Sequence, residues 1–398
     1  MTQKQTYCPL PWIHICTHPT GRLKLCCEDT LQSEFRGRRE YHIRDGIDAW
    51  LSSPYLTWVR ERLLGGEPLL ECRICSRQEE LGLMSKRQHE IRVWGLVTRV
   101  AAPVYMDLKL GNQCNLMCVM CDPSSSSRIA AEYRELGWDV HPPFETGQMG
   151  IPTRDALQED FGWPDHPAVW QALTERLAGL KKIKFTGGEP LCNPHLVRLL
   201  EYAVEHGFNR GRTIQIISNG TLLGERIRGV AREFDLDLVV SLEGVGPVND
   251  FIRYPSRWED ITRNLAALRK DGVRFRINAT CSLLNLLDLT DLIEFNHNIG
   301  GPRMTIIPVQ SPEILDPTIA PGCLAAEAQR NLDLWRQNTA APDAEFYCGR
   351  LGSILRSARY NEGLFRRFAA YLRDVCQHRK LQLRDFLPGL NDVIEALV

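Results

Sequence analysis

Val104-Tyr105-Met106-Asp107-Leu108-Lys109-Leu110 reads as a β-strand, and shortly after it the chain runs Cys114-Asn115-Leu116-Met117-Cys118-Val119-Met120-Cys121. From here onward strands and helices alternate. Strands are predicted at 182–185, 213–217, 236–242, 273–280 and 304–309, with helices at 125–136, 168–180, 195–205, 224–233, 257–270 and 287–295 between them. Such alternation predicts parallel strands joined by helical crossovers. Six strand–helix units are too few for a closed eight-stranded barrel, so the expected class is α/β, a partial (β/α)6 TIM-like barrel. The stretch 137–167, rich in Gly, Pro, Asp and Trp, is expected to decorate the mouth as an insertion.

Working outward, the first hundred residues read differently. Two short strands are expected at 12–15 and 22–26, around a turn at Pro19-Thr20-Gly21. Helices follow at 54–64 and 78–93, the first opened by Ser53 as N-cap and Pro54 as first helical residue. Beyond Pro312 only helices are expected, at 324–336, 346–373 and 390–397. This gives three units: a cysteine-rich module at 1–100, the partial barrel at 101–311 and a helical C-terminal region at 312–398.

Composition excludes several classes. Of 398 residues, 43% are hydrophobic and 24% charged, which is ordinary globular usage. Lys plus Arg is 48 against 49 Asp plus Glu, a net charge of −1 that offers no global field for nucleic acid. The longest apolar runs fall short of the roughly 20 residues a membrane span needs. Tyr7-Cys8-Pro9 follows the first residues with no apolar secretory core, so a cytoplasmic location is expected. Fourteen cysteines in that setting point to metal or redox chemistry rather than disulfides.

Three thiolates at Cys114, Cys118 and Cys121 can hold three irons of a [4Fe–4S] cube and leave the fourth iron open to another ligand. Spacing alone leaves two alternatives: a buried stripe on one helix face, or a zinc knuckle that borrows a fourth ligand. A second feature ends the next strand, Lys184-Phe185-Thr186-Gly187-Gly188-Glu189-Pro190. Its glycines let backbone approach a ligand closely, and Glu189 offers an acceptor for an ammonium.

Together, at successive strand ends, these motifs resemble the radical S-adenosylmethionine (SAM) superfamily. The resemblance implies that Cys114, Cys118 and Cys121 bind a [4Fe–4S] cluster whose open iron is chelated by SAM. It assigns Gly187, Gly188 and Glu189 to the SAM site. Ile217-Ser218-Asn219-Gly220-Thr221 and Val240-Ser241-Leu242-Glu243-Gly244 end the third and fourth strands and place Ser218, Asn219 and Ser241 near the ribose or carboxylate of SAM. Arg253 is a carboxylate partner by the same resemblance. Two positions depart from the family pattern. Met120 stands where an aromatic residue usually packs by the adenine, a space that an adaptable thioether can fill. Glu243 stands where Asp is usual.

Cys8, Cys26, Cys72 and Cys75 form another set. By chemistry alone, a hairpin ending in a thiolate and followed by C-x2-C suits a zinc ribbon. The pattern C-x12-G-x4-C and then C-x2-C also resembles the twitch module, the shortened SPASM domain, which carries an auxiliary [4Fe–4S] cluster. Here it precedes the barrel, whereas such modules usually follow it. Further points of likeness are Pro11-Trp12, the Cys26-Cys27 pair and Ser85-Lys86-Arg87. Adjacent strand residues face opposite ways, so one of Cys26 and Cys27 is expected to ligate, and the x4 spacing favours Cys26. Cys16, Cys192, Cys281, Cys323, Cys348 and Cys376 lack ligand spacing and read as structural thiols. His14 and His18 read as hairpin side chains rather than ligands.

The resemblance therefore implies a radical SAM enzyme of oxidoreductase type. It would cleave SAM reductively to a 5′-deoxyadenosyl radical and abstract hydrogen from a substrate. An auxiliary cluster in related families often accompanies net oxidation, and the relatives commonly modify peptides or proteins; some oxidise small metabolites. The expected partners are an external electron donor such as flavodoxin or ferredoxin and a peptide or small-molecule substrate, with no nucleic acid and no membrane. A non-enzymatic zinc-binding protein is the rival from another class.

Overall fold

A computed structural model describes residues 6–29, 33–35, 41–80, 82–99, 102–143, 157–309 and 311–398. Its centre is one eight-stranded sheet. The strands are β1 (His14–Thr17), β2 (Leu23–Lys24), β3 (Tyr105–Lys109), β4 (Lys182–Thr186), β5 (Thr213–Ser218), β6 (Asp235–Ser241), β7 (Phe275–Cys281) and β8 (Thr305–Pro308). Their order is β2-β1-β3-β4-β5-β6-β7-β8, parallel throughout except for the antiparallel pair β1–β2. Six strands from β3 to β8 occupy the positions expected from the sequence. The N-terminal hairpin adds two more, with β1 docked parallel to β3 through His14↔Tyr105 and Cys16↔Asp107. The sheet is open, with β2 and β8 as its edges.

The parallel strands carry an unusual pattern. Parallel strands covered on both faces ordinarily read as continuous apolar runs. Here β3 and β4 alternate. Met106, Leu108, Ile183 and Phe185 share one core with helix residues Leu199, Ile227, Leu265 and Leu292. The intervening Asp107, Lys109 and Lys184 are charged and also buried. Cross-strand register continues that polar row through Gln215 and Asp237, which hydrogen-bond to each other, and Arg276 donates to Asp237. One face of the sheet is thus an apolar core, and the other carries a polar row, buried at Asp107, Lys109, Lys184 and Gln215 and half-buried at Asp237 and Arg276.

Local corrections have local causes. The first expected strand begins only at His14, because Pro9 and Pro11 hold Leu10–Ile13 as a single helical turn. The second shrinks to Leu23–Lys24. The helix expected at 78–93 is two helices, Arg73–Glu80 and Lys86–Trp94, parted at Gly82 (φ +70°) and restarted by a capping box between Ser85 and Gln88. The helix expected at 346–373 is likewise two, Ala344–Arg356 and Glu362–Arg379, the second capped by Asn361 on the Leu364 N–H.

Two distant segments brace the centre. Of the expected insertion, positions 144–156 lie outside the described residues. Its distal part docks on the N-terminal hairpin, where buried Trp163 donates from Nε1 to the Pro19 carbonyl at 2.8 Å and Glu159 pairs with Arg22. From the C-terminal region, Tyr371 donates its hydroxyl hydrogen to the Val119 carbonyl at 2.7 Å, inside the cysteine loop. Arg379 pairs with Glu132 through two 2.7 Å bonds, both side chains buried. Among the described residues, no helix is long and apolar enough to cross a membrane.

Candidate active site

The cysteine motif is a loop, which removes the helix-stripe alternative. It joins β3 to the helix Ser127–Glu135, and its backbone is pinned from outside. The Met117 N–H donates to the Tyr254 carbonyl at 2.6 Å and the Val119 N–H to that of Ile252 at 2.8 Å. Ser126, the N-cap of the helix, also donates from Oγ to the Leu116 carbonyl at 2.8 Å. Burial pushes the Cys114 thiol up to about 11 and Cys118 to about 12, and raises Cys121 as well. Like charge adds to the rise, from Glu189 and Cys192 at Cys114, from Cys114 at Cys118, and from Asp122, Cys118 and Cys114 at Cys121. A bound cation is what would make three neighbouring thiolates stable here.

The Gly187-Gly188-Glu189 turn leans on this loop. The Glu189 N–H donates to the Gln113 carbonyl at 2.8 Å. A Cβ on Gly188 would lie 2.7 Å from the Gln113 carbonyl carbon and nearer still to its oxygen, while Gly187 has φ +111°. The close backbone approach that these glycines allow is therefore to the cysteine loop itself, not only to a ligand. The Glu189 carboxylate is buried and accepts from Ser218 Oγ at 3.0 Å, the Leu191 N–H at 3.1 Å and the Asn219 N–H at 2.7 Å. Burial raises its pKa, and those three bonds counter the rise. Glu189 thus ties the ends of β4 and β5 together.

Arg253, the expected carboxylate partner, meets a carboxylate of the chain itself. It is buried and donates from Nε and Nη2 to Glu243, the second bond at 2.9 Å. The longer Glu243, where the family usually has Asp, is what meets it. Arg253 nevertheless lies close enough to Cys118 to oppose the rise in its pKa. Ser241 ends β6 in register with Asn278 and joins no bond of this network, and Met120 is buried in the core. Sequence reading missed Asn115, which accepts from Asn219 Nδ2 at 2.9 Å and donates to Thr221 Oγ1 at 2.8 Å. Its position between Cys114 and the end of β5 was the available signal.

The second cysteine set also gathers. Cys8 is pushed up to about 12 by burial first and by Cys75 among its neighbours, and burial raises Cys72 with added repulsion from Cys8 and Cys75. Cys26 is raised by burial and then by Cys27, Cys75 and Cys8. Burial brings Cys75 to about 11, against a bond from the Arg87 N–H at the start of the helix Lys86–Trp94. The strand-alternation argument for Cys26 over Cys27 does not apply, because β2 ends at Lys24 and both cysteines follow it in a turn. Cys27 is within electrostatic reach of Cys26 and Cys75, and also of Lys86, Lys109 and Lys184. Among the described residues, no three of these thiols have sulfurs within 4.8 Å of one another.

Comparison with known proteins gives the class. Residues 108–295 match the profile described as the Radical SAM superfamily, and this part of the chain is a radical SAM domain. That family implies SAM and a [4Fe–4S] cluster as cofactors, and three unpaired thiols at one loop fit the donor set such a cluster needs. More particularly, the chain is similar to an AdoMet-dependent heme synthase from Methanosarcina barkeri, at 26% identity over 52% of this chain and 50% of that protein. It is also similar to a probable GTP 3′,8-cyclase from Methanocaldococcus jannaschii, at 28% identity over 49% of this chain and 55% of that protein. The chain spans about half the length of these relatives. Solved structures matched include native anSMEcpe with bound AdoMet, at TM-score 0.40 and 16% identity over 59% of this chain and 61% of that one. Streptococcus suis SuiB bound to precursor peptide SuiA also matches, at TM-score 0.36 and 14% identity over 85% and 57%.

Proposed function

We propose that this protein is a two-cluster radical SAM oxidoreductase. The carrying observation is the bond from the Glu189 N–H to Gln113, which joins the SAM-site turn to the loop of Cys114, Cys118 and Cys121. When bound, the cluster and SAM supply a 5′-deoxyadenosyl radical able to take a hydrogen atom from an unactivated carbon. This chain's residues do the rest. The three cysteines hold iron, Gly187 and Gly188 let the turn close on the loop, and Glu189, Ser218 and Asn219 fix the ends of β4 and β5 where SAM is expected. Arg253 and Glu243 place a buried charge pair beside Cys118.

The auxiliary [4Fe–4S] cluster is assigned to Cys8, Cys26, Cys72 and Cys75. Tetrahedral zinc with Zn–S bonds of about 2.3 Å needs sulfurs about 3.8 Å apart. The likeness of the cysteine spacing to the twitch module is what supports the larger cluster over a zinc ribbon. Four thiolates leave no open iron, which suits electron transfer from the substrate radical. An external donor of the flavodoxin or ferredoxin kind would reduce the SAM cluster.

Likeness to twitch and SPASM modules supports oxidation of a peptide or protein. A second reading, a small polar metabolite, is favoured by the buried charged residues Asp107, Lys109 and Lys184 and by relatives named for heme synthesis and GTP cyclisation. The test is anaerobic incubation of reconstituted protein with SAM and dithionite. Formation of 5′-deoxyadenosine is expected, and its absence from protein loaded with about eight irons overturns the reading.

A further inference from the structure

The polar face of the sheet holds a three-residue set that the SAM chemistry does not use. His14 and Cys16 are two apart on β1 and share a face, and Asp107 is the register partner of Cys16 on β3. The imidazole nitrogen, thiol sulfur and carboxylate oxygen of these residues lie within 4.8 Å of one another, and all three residues are buried.

His14 and Asp107 are each held from outside with one atom left over, and Cys16 lies between Lys109 and the Thr17 carbonyl. His14 Nδ1 lies 3.3 Å from the Leu25 carbonyl, which can only accept, so Nδ1 carries the hydrogen. The neutral ring then presents a bare lone pair at Nε2, which has no partner. Asp107 takes Lys184 Nζ on Oδ2 at 2.7 Å, and its Oδ1 is also without a partner. Lys109 Nζ stands 4.0 Å from Cys16 Sγ and 3.5 Å from the Thr17 carbonyl, a cation that counters the burial holding this thiol protonated and bonds neither the nitrogen nor the free oxygen. His14 Nε2 and Asp107 Oδ1 are thus two buried acceptors without a donor in one small cluster, which is costly unless something binds them. A histidine that donates its other nitrogen to a carbonyl, beside a carboxylate that is itself hydrogen-bonded, is the usual outer arrangement of metal ligands.

We propose that His14 Nε2, Cys16 Sγ and Asp107 Oδ1 bind one divalent transition metal of the zinc type, distinct from the iron–sulfur clusters. Nitrogen, sulfur and oxygen donors together suit zinc among the common divalent ions. Three protein ligands leave a fourth position, the pattern of zinc sites that take water or a substrate group rather than of closed structural sites. Lys109 and Lys184 remain outside the coordination shell and offset the thiolate and carboxylate charges.

The test uses the full-length, cluster-loaded protein, dialysed anaerobically against micromolar zinc and then freed of loose metal. About one zinc per chain is expected, with iron and sulfide unchanged. Absorption fine structure at the zinc edge ignores iron, and should show one sulfur at about 2.3 Å with nitrogen or oxygen at about 2.0–2.1 Å. Cys16→Ser and His14→Ala should each weaken zinc retention at least tenfold, with Cys16→Ser keeping its iron. Lack of retained zinc overturns the proposal, as does retention undiminished in both variants. An all-sulfur shell overturns it too, by placing the metal among Cys8, Cys26, Cys72 and Cys75. Because 5′-deoxyadenosine formation is measured separately, loss of the zinc site leaves the SAM reading standing.

Discussion

Gly188 sits against the carbonyl of Gln113 so closely that no side chain fits between them, and the next residue, Glu189, donates its N–H to that same carbonyl. The cysteine loop and the SAM-site turn are thereby one backbone unit. Gly188→Ala should displace the loop that carries Cys114. The expected result is loss of the barrel cluster, about four irons per chain, with the N-terminal set unaffected. Iron and sulfide analysis checks this, and full iron content would show that the turn can move without the loop.

Glu189→Gln tests the tie between β4 and β5. The carboxylate accepts three hydrogen bonds, and an amide can accept at only one of its two ends. Replacing one charged acceptor is worth about 1.5–3 kcal/mol. SAM affinity should fall about ten- to a hundredfold, with iron retained, as measured by equilibrium binding of SAM to reconstituted protein. An unaltered dissociation constant would take Glu189 out of the site.

Arg379 and Glu132 bind the C-terminal helix to the helix that follows the cysteine loop. Arg379→Met alone leaves a buried carboxylate unpaired and should cost about 3–5 kcal/mol. Adding Glu132→Leu should restore most of that, since a buried pair replaced by apolar groups is often neutral. Denaturant titration of the two variants measures the difference.

Much of this architecture was legible in the chain, and the exceptions have physical causes. Strands β3 to β8 were readable because each is a short apolar or β-branched segment followed by a helix signal. Docking of β1 beside β3 was not, because a parallel pairing between segments so far apart leaves no local mark. His14 therefore reads as a hairpin side chain and Cys16 as a structural thiol, and it is Asp107 across from them that gathers the three. The alternation in Lys182-Ile183-Lys184-Phe185 was a visible sign of a polar face. Arg253 was legible by resemblance as a carboxylate partner, but its pairing with Glu243 depends on where two loops meet.

For the N-terminal set, replacing Cys72 and Cys75 together should lower iron from about eight to about four per chain, while uncoupled SAM cleavage persists. Cys27→Ala should keep full iron. Loss of the cluster in Cys27→Ala, with retention in Cys26→Ala, would exchange their roles. About four irons and one zinc in the unaltered protein would leave this module a structural ribbon.

The most direct test of the central claim is 5′-deoxyadenosine formation by the triple variant Cys114→Ala, Cys118→Ala, Cys121→Ala, assayed anaerobically with SAM and dithionite beside the unaltered protein. The account predicts that reductive cleavage is abolished while about four irons remain at the N-terminal cysteines. Undiminished 5′-deoxyadenosine from the triple variant would contradict it.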